Sequence, residues 1–225
     1  MTKPAADASA VTPAVGRTGP LSGRMAEANR NDTVILDAAR RVFIADPSAP
    51  ISAVAKEAGV GISALYRRYT SKEELLQTLC ANGLATYITI ARSSLEVHDP
   101  WRAFTEFLTG VVDADVHSLT TNLAGSFTPT PQMQAQAVEA SRLAETLLNR
   151  AKAAQVIRAD FEPSDIAMLL EQLTAVRLED LERTTTLRRR YLALHLDALR
   201  PQATRTQLPG PPPTTAELGA RWIPK

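Results

Sequence analysis

The chain of 225 residues is long enough for one sizeable hydrophobic core or two smaller domains, and its 44% of hydrophobic residues is ordinary for a globular protein. Its net charge of +1 does not mark the whole molecule as a nucleic-acid binder, so basic residues matter segment by segment. The single cysteine, Cys80, excludes an internal disulfide, and no segment approaches the roughly twenty apolar residues of a membrane-spanning helix. We therefore expect a cytoplasmic protein.

The chain begins with a segment that cannot bury apolar surface. Residues 1–23 are rich in Ala, Pro, Thr, Ser and Gly without a periodic apolar pattern, which predicts a disordered arm. Arg17 and Arg24 could contact a DNA minor groove, although a solvated tail is the simpler interpretation. A first helix is then predicted from near Arg30 to Ile44, with an apolar stripe formed by Val34, Ile35, Ala38, Ala39, Val42 and Phe43.

Residues 51–72 have the pattern of two short helices joined by a tight turn. Gly59 supplies the backbone freedom for the turn, and Leu65 and Tyr69 lie four residues apart, which predicts that both face inward. Apolar residues at helical spacing in the first of these helices are Ile51, Val54, Ala55 and Ala58. The outer surface of the second is small and basic, and consists of Gly61, Ile62, Ser63, Ala64, Tyr66, Arg67 and Arg68.

The local charge and side-chain size of this segment suit a DNA groove. Four basic residues stand against the single acid Glu57, and they are Lys56, Arg67, Arg68 and Lys72. Small side chains at the start of a recognition helix allow close approach to base edges, while Arg and Tyr reach phosphates. Two short amphipathic helices around a glycine turn also occur in helical proteins that never contact DNA, and this alternative stays open on spacing alone.

The residues themselves resemble a known family. The segments VILDAARRVFIADP and AVAKEAGVGISALYRRYTSKEELL, from roughly Arg30 to Leu76, resemble the DNA-binding domain of the tetracycline-repressor family. The resemblance implies a helix-turn-helix dimer that binds a palindromic operator and leaves it when a small ligand enters the C-terminal domain. It implies that Arg67 lies near the DNA and that Lys72 contacts a phosphate. The residues that it places toward the DNA are Ser52, Gly61, Ile62, Ser63, Ala64 and Tyr66.

Two departures from the family pattern bear on base recognition. Gly61 stands where a helix-capping Ser is frequent, and Ile62 and Ala64 offer no hydrogen bonds to bases. We therefore expect contacts with thymine methyl groups, or recognition of DNA shape, rather than bidentate pairing with bases.

A long fourth helix is predicted after this segment. Ser71 and Glu74 have the spacing of a capping box, and an apolar pattern continues to about Ser93. Because a continuous helix is stiff, we expect it to join two domains and to act as a lever between them.

The next region is predicted to hold a ligand cavity. Asp99 and Pro100 start a fifth helix, and four of the larger apolar side chains of this aromatic-poor chain, Trp101, Phe104, Phe107 and Phe127, fall in this region. The residues predicted to line the cavity are Tyr87, Trp101, Phe104, Phe107, Leu108, Val111, Phe127 and Met168. The alternative is that these side chains are plain core.

Further helices are predicted toward the C-terminus. A short sixth helix is weakly indicated, Thr130 and Pro131 open a seventh, and Glu162, Pro163 and Asp165 start an eighth. The eighth and ninth helices carry apolar stripes, and the resemblance implies that they pair with their copies in a homodimer; the alternative is a monomer that buries these stripes internally. Residues 201–225 are predicted to be a flexible Pro-rich tail, with Trp222 and Ile223 as a weak docking point.

Catalytic residues are scarce. His98, His117, His195 and Cys80 are widely separated, and Cys80 lies in a Leu-rich turn that favours a buried apolar role. Asp113 and His117 are four residues apart and would share one face of the fifth helix, although two ligands do not complete a metal site. We expect no cofactor, no metal and no enzymatic activity.

Together these patterns predict an all-α protein of about nine helices. Its predicted parts are a disordered arm (1–23), a three-helix helix-turn-helix domain (24–70), a larger ligand-binding and dimerisation domain (71–200) and the tail (201–225). The predicted function is a sequence-specific repressor that a small ligand releases from an inverted-repeat operator. The alternatives are an activator, a corepressor-dependent regulator, or a helical carrier or enzyme that does not bind DNA.

Overall fold

The computed structural model describes residues 20–201, 206–220 and 222–223, with side chains described from residue 32 onward. This described part contains ten α-helices and no strand, which confirms the all-α prediction. The helices are α1 (Pro20–Ala45), α2 (Ile51–Glu57), α3 (Ile62–Arg68), α4 (Lys72–Leu95), α5 (Pro100–Asp113), α6 (Val116–Leu123), α7 (Pro131–Ala153), α8 (Pro163–Thr174), α9 (Leu181–Leu199) and α10 (Thr215–Ala220).

The first hydrophobic core joins α1, α2 and α3 to the first half of α4 and to Leu119 and Leu123 of α6. Gly59 adopts a φ of +66° between α2 and α3, and the predicted inward residues Leu65 and Tyr69 are buried. They pack with Ile35, Ala38, Ala39, Phe43, Ile51, Val54, Ala55, Leu75, Leu76 and Leu79. The two short helices therefore owe their stability to tertiary packing, since helices of 7 residues are marginal in isolation.

The start of α1 differs from the prediction. The helix begins at Pro20, ahead of the predicted start near Arg30, so residues 20–23 are helical rather than part of a disordered arm. The prediction required an apolar stripe, whereas Pro20 suits a first helical turn and residues 24–27 favour a helix without one. The rest of the predicted arm, residues 1–19, lies outside the described residues.

The second core is formed by the second half of α4 with α5, α7, α8 and α9. Ile88 and Ala91 of α4 pack there, so the predicted lever runs through both cores. Gly110 allows α5 to approach α4 closely, because a Cβ atom at this position would lie 2.8 Å from Cγ2 of Ile90. The predicted caps are also confirmed, with Asp99, Thr130 and the Glu162–Asp165 capping box at the starts of α5, α7 and α8.

The predicted pairing of Asp113 and His117 on one helix is wrong. The fifth helix ends at Asp113, and Asp115, with a φ of 50°, turns the chain into the separate helix α6. The Asp113 carboxylate instead accepts two hydrogen bonds from Arg189 of α9, at 2.6 and 2.9 Å. Among the described residues, no three His, Cys, Asp or Glu side chains cluster to hold a metal ion.

Part of the C-terminal segment is helical. A short helix, α10, occupies part of the segment that was predicted to be a flexible tail. Cys80 is buried in the first core, and burial raises the pKa of its thiol to about 12, so it is a small apolar core residue.

Within the part of the chain that the structure describes, no helix combines the length and apolar character needed to cross a bilayer.

An ion-pair network fixes the small domain against the larger one. Asp115 accepts a hydrogen bond of 2.5 Å from Nη1 of Arg188, and Nη2 of Arg40 lies 3.6 Å from its other oxygen. Arg188 is buried, and it also donates to the carbonyl oxygens of Thr174 and Val176. Asp115 therefore connects α1 of the small domain with α9 of the larger one.

Asp115→Asn is expected to lower the free energy of unfolding by about 2 kcal/mol, because it leaves the buried Arg188 guanidinium without its counter-charge. Asn tolerates the left-handed backbone at this position, so the variant removes the charge and retains the turn. Urea denaturation measures the loss. Asp113→Asn is the control: its partner Arg189 is 58% exposed, and the expected loss is below about 1 kcal/mol. Equal losses in the two variants would contradict the buried pair's larger role.

Candidate functional site

The outer surface of α2 and α3 is open to solvent, as the sequence predicts. Ile62 is 41% and Tyr66 is 47% exposed, although both are large and apolar or aromatic. Gly61 is the N-cap of α3, and no side chain caps this end. The other exposed members of this surface are Ser52, Lys56, Ser63 and Arg67, while Ala64 is partly buried. An exposed face of small and apolar side chains at a helix start permits close approach to a groove.

Arg68 is exposed, but it forms an ion pair within the small domain rather than being left free. Its Nε and Nη2 atoms donate to the two carboxylate oxygens of Asp32 in α1, at 2.8 and 2.7 Å. The Tyr69 hydroxyl donates to the same carboxylate at 2.5 Å. The hydrogen bond from Arg68 is the main cause that holds the pKa of Asp32 below its ordinary value, while burial and then Asp32 raise the pKa of Tyr69. Arg68 therefore anchors α3 to α1, and Asp32 neutralises its charge.

The Lys72 side chain is also turned toward the protein. Its ammonium donates to the carbonyl oxygen of Pro47 at 3.0 Å and lies 5.1 Å from the centre of the Phe43 ring. Burial lowers the pKa of Lys72. In contrast, Lys56 and Arg67 are exposed and make no ion pair within the described residues. Of the four cations counted in the sequence, these two are directly available to a phosphate.

The start of α4 has the predicted cap with one difference. The Ser71 hydroxyl accepts a hydrogen bond from the Glu74 amide at 3.0 Å, as expected. The Glu74 carboxylate reaches Thr70, where it accepts hydrogen bonds from both the amide and the hydroxyl at 2.6 Å. The side chain thus closes the loop between α3 and α4, which fixes the angle at which the lever leaves the small domain.

A cavity of about 550 Å³ lies between α4, α6, α7, α8 and the C-terminal segment. Its walls carry hydroxyl groups from Thr120, Ser141, Ser164 and Thr215, the His117 imidazole and the carboxylates of Glu145 and Glu162, but no Lys or Arg side chain. The apolar part of the lining consists of Leu84, Tyr87, Ala137, Ala140, Ala144, Pro163, Ile166, Ala167, Leu170, Pro212 and Leu218. Such a mixture suits a partly apolar molecule that carries a few hydrogen-bonding groups.

Of the residues predicted to line a ligand cavity, Tyr87 alone borders this one. Its ring packs edge to face on Phe107, with centroids 5.3 Å apart, and burial raises the pKa of its hydroxyl, so it stays a neutral phenol. Trp101 instead stacks under the Arg200 guanidinium, 3.9 Å from the ring centre, and Phe127 packs against Trp222. Met168 is partly buried on α8 away from the lining, and the residues placed in the tight core are Phe104, Phe107, Leu108 and Val111.

The sequence contained a signal for the cavity that the prediction did not use. Ala137, Ala140 and Ala144 recur at helical spacing on one face of α7. Large side chains fill space against each other, whereas a row of small ones leaves room between helices. The small residues therefore mark the cavity better than the aromatic residues do.

Comparisons with known proteins agree with this architecture. Residues 35–79 match the model of bacterial regulatory proteins of the tetR family, and residues 99–201 match the C-terminal domain of SbtR-like transcriptional regulators. The chain belongs to the tetracycline-repressor (TetR) family. This membership confirms the resemblance, and it makes the chain a DNA-binding transcriptional regulator rather than an enzyme. The C-terminal segment beyond residue 201 lies outside both matched regions.

Solved structures of TetR regulators share the fold. The regulator SCO0520 from Streptomyces coelicolor is 26% identical, with 77% of this chain and 99% of that chain covered and a TM-score of 0.53. LfrR from Mycobacterium smegmatis, solved in complex with proflavine, is 19% identical over 80% of this chain and 99% of its own, with a TM-score of 0.53. A gamma-butyrolactone receptor is 18% identical over 78% of this chain and 90% of its own, with a TM-score of 0.57. No curated protein matches the chain.

The ion pair of Asp32 with Arg68 is expected to make the TetR DNA-binding domain sensitive to acid. Because folding lowers the pKa of Asp32 below 3.8, its contribution is complete above about pH 4 and is lost as the pH falls through the lower folded value. Asp32→Asn should cost about 1 kcal/mol of unfolding free energy at pH 7, since Arg68 is 58% exposed and solvent screens the pair. Urea denaturation at several pH values measures the difference, and a gap that stays constant down to pH 2 would contradict this linkage.

Proposed function

We propose that this TetR regulator is a repressor that binds an inverted-repeat operator as a homodimer and leaves it when a small, partly apolar ligand enters the cavity. The observation that carries the proposal is the exposed, small-residue face of α3, attached through α4 to a helical domain with a cavity of about 550 Å³. As a regulator of transcription, it is expected to act in the cytoplasm, where the DNA is.

The DNA-facing residues are assigned different tasks. Ile62 and Ala64 lie on the start of α3 and offer apolar contacts, which suits thymine methyl groups. Lys56 and Arg67 supply free positive charge for phosphates, while Arg68 orients α3 through Asp32. Lys72 reaches a phosphate when its ammonium exchanges the Pro47 carbonyl for that anion. Polar or close contacts to the groove come from Ser52, Gly61, Ser63 and Tyr66.

The proposed dimer uses the outer face of α8 and α9. Tyr191 and Leu194 on α9 are 43% and 58% exposed, and Leu178 and Leu181 before and at its start are 47% and 67% exposed. Large apolar side chains left exposed along α9 and just before it favour association with a second copy. A two-fold axis at this face presents two copies of α3 to two half-sites of one operator.

Release by a ligand requires the ligand to prefer the conformation that does not bind DNA. Shifting the ratio of the non-binding to the DNA-binding conformation from 1:99 to 99:1 takes about 5.5 kcal/mol of difference in the ligand's affinity for the two conformations. The cavity favours a neutral or positively charged effector, because the Glu145 carboxylate lines it and no basic side chain does, while the Glu162 carboxylate is paired with Lys152 at 2.9 Å. LfrR, which shares the fold, is solved in complex with proflavine, and this supports a small-molecule ligand for the present chain.

Arg67→Ala is expected to weaken binding to all DNA sequences alike and to lower the salt slope of the binding constant by about one, since it removes one phosphate contact. Electrophoretic mobility shifts at several salt concentrations measure the slope. Arg102→Ala is the matched control: it removes the same charge from α5, where the side chain is 72% exposed and pairs with Glu106. An unchanged slope in Arg67→Ala would remove this residue from the phosphate contacts.

The full-length protein is expected to bind the DNA upstream of its own gene as two half-sites about one helical turn apart, and to bind it less tightly when the cavity is occupied. The neutral dye Nile red serves as an apolar probe of the cavity. Footprinting locates the half-sites, and fluorescence anisotropy of the labelled duplex measures the affinity with and without Nile red.

Ala137→Phe is the control for this experiment. Ala137 is exposed on α7 and borders the cavity, so a phenyl group at this position obstructs the cavity without disturbing the core. We expect this variant to bind DNA normally and to lose the response to Nile red. Tighter DNA binding in the presence of Nile red would identify a corepressor-dependent regulator instead, and the absence of any protected half-site would contradict operator binding.

A further inference from the structure

The segment after α9 is anchored to the larger domain by polar contacts. Arg158 pairs with Asp160 through hydrogen bonds of 2.6 and 2.8 Å, and this pairing holds the pKa of Asp160 well below its usual range. Arg158 also donates to the carbonyl oxygen of Thr206 at 2.9 Å, and the Leu208 amide donates to Asp160 at 2.9 Å. We name the described residues 206–220 and 222–223 the C-terminal strap.

The middle of the strap forms one wall of the cavity. Pro212, Thr215 and Leu218 border the cavity together with residues of α4 and α7. The helix α10 that carries Leu218 is held by its own capping box, in which Glu217 accepts hydrogen bonds from the amide and hydroxyl of Thr214 at 2.7 and 2.8 Å. The strap borders the cavity as one wall and does not fill it, since about 550 Å³ remain with the strap in position.

The end of the strap reaches the core of the DNA-binding domain. Trp222 packs edge to face on Phe127, with ring centroids 6.0 Å apart. Phe127 is 4% exposed and belongs to the core that contains α2, α3 and the first half of α4. The next residue, Thr128, accepts a hydrogen bond from Gln77 at 2.9 Å and donates one to Glu73 at 3.2 Å. Both partners lie on the first turns of α4, directly after the DNA-facing segment.

We propose that the C-terminal strap completes the effector site and transmits its occupancy to the DNA-binding domain through Trp222. This inference rests on the proposed function, in which the cavity holds the effector. A ligand in the cavity contacts Leu218, and two residues after the end of α10 the chain reaches Trp222. A shift of α10 therefore moves the indole against Phe127 and the start of α4. Because the strap lies beyond the matched region 99–201, it adds to this chain an effector contact that neither family model includes.

The first test measures how much the strap contributes to the affinity of the cavity for Nile red. Leu218→Ala and Asp160→Asn in the full chain are expected to weaken Nile red binding about five-fold, because the first variant removes apolar contact and the second releases the anchor. Ile223→Ala is the matched control, since Ile223 lies in the same strap and is 68% exposed. Nile red affinities of Leu218→Ala and Asp160→Asn within two-fold of the wild type would overturn the strap's role as a wall.

The second test measures how far Nile red binding changes the DNA affinity when Trp222 is altered. Trp222→Ala is expected to bind Nile red with nearly the wild-type affinity while the effect of Nile red on DNA affinity falls at least five-fold, and Trp222→Phe, which retains an aromatic ring on Phe127, is expected to restore that effect. Ile223→Ala should respond as the wild type does. If Nile red changes the DNA affinity of Trp222→Ala as much as that of the wild type, the proposed transmission through Trp222 is overturned.

The experiments distinguish an error in the strap proposal from an error in the proposal that the cavity is the effector site. If Ala137→Phe abolishes Nile red binding while the strap variants behave as the wild type does, the strap proposal alone is overturned. If Ala137→Phe binds Nile red as the wild type does, the cavity is not the effector site, and the strap's role in it is overturned as well.

Discussion

The helix α4 contributes apolar side chains to two separate cores, and the relation between the two domains depends on this sharing. Leu75, Leu76 and Leu79 complete the core under the DNA-binding face, while Ile88 and Ala91 complete the core of the larger domain. Because packed cores resist deformation, a displacement at one end of a stiff helix is carried to the other end rather than absorbed between them. The network of Asp115 with Arg40 and Arg188 adds a second connection beside the lever.

The electrostatics of the DNA-binding face differ from what a residue count indicates. Arg68 is paired with Asp32, and Lys72 is turned toward Pro47, so among the described side chains of this face the unpaired positive charge comes from Lys56 and Arg67. A face with few free cations gains little from unspecific phosphate attraction. Fit to the groove then contributes more to binding, which agrees with the small side chains at the start of α3.

Local patterns predicted the local parts of this molecule. The turn at Gly59, the inward pair Leu65 and Tyr69, and the caps at Ser71, Asp99 and Thr130 follow from spacings of a few residues. These features needed no knowledge of the rest of the chain. The family resemblance supplied what spacing could not, because it distinguished a DNA-binding helix pair from an ordinary one.

What the sequence did not predict depends on residues far apart in the chain. The partners of Arg68 and Arg189 lie 36 and 76 residues away, and such pairs leave no periodic trace. The break at Asp115 was missed because a non-glycine residue with a φ of 50° is uncommon. A ligand cavity was predicted among aromatic and other large side chains, of which Tyr87 alone borders the cavity, whereas Phe104 and Phe107 lie in the core and alanines line the cavity on α7.

The strap differs from the other walls of the cavity in the way it is held. The helices α4, α7 and α8 contribute to the large core, whereas α10 has no buried residue and is fixed mainly by the Arg158–Asp160 anchor and the Trp222 contact. Segments with few buried contacts open at lower free energy than core helices do. A ligand can therefore move this wall with less of its binding energy than any helix of the core would require. Since Trp222 packs beside the start of the lever, the wall that is easiest to move is also one that touches the DNA-binding domain.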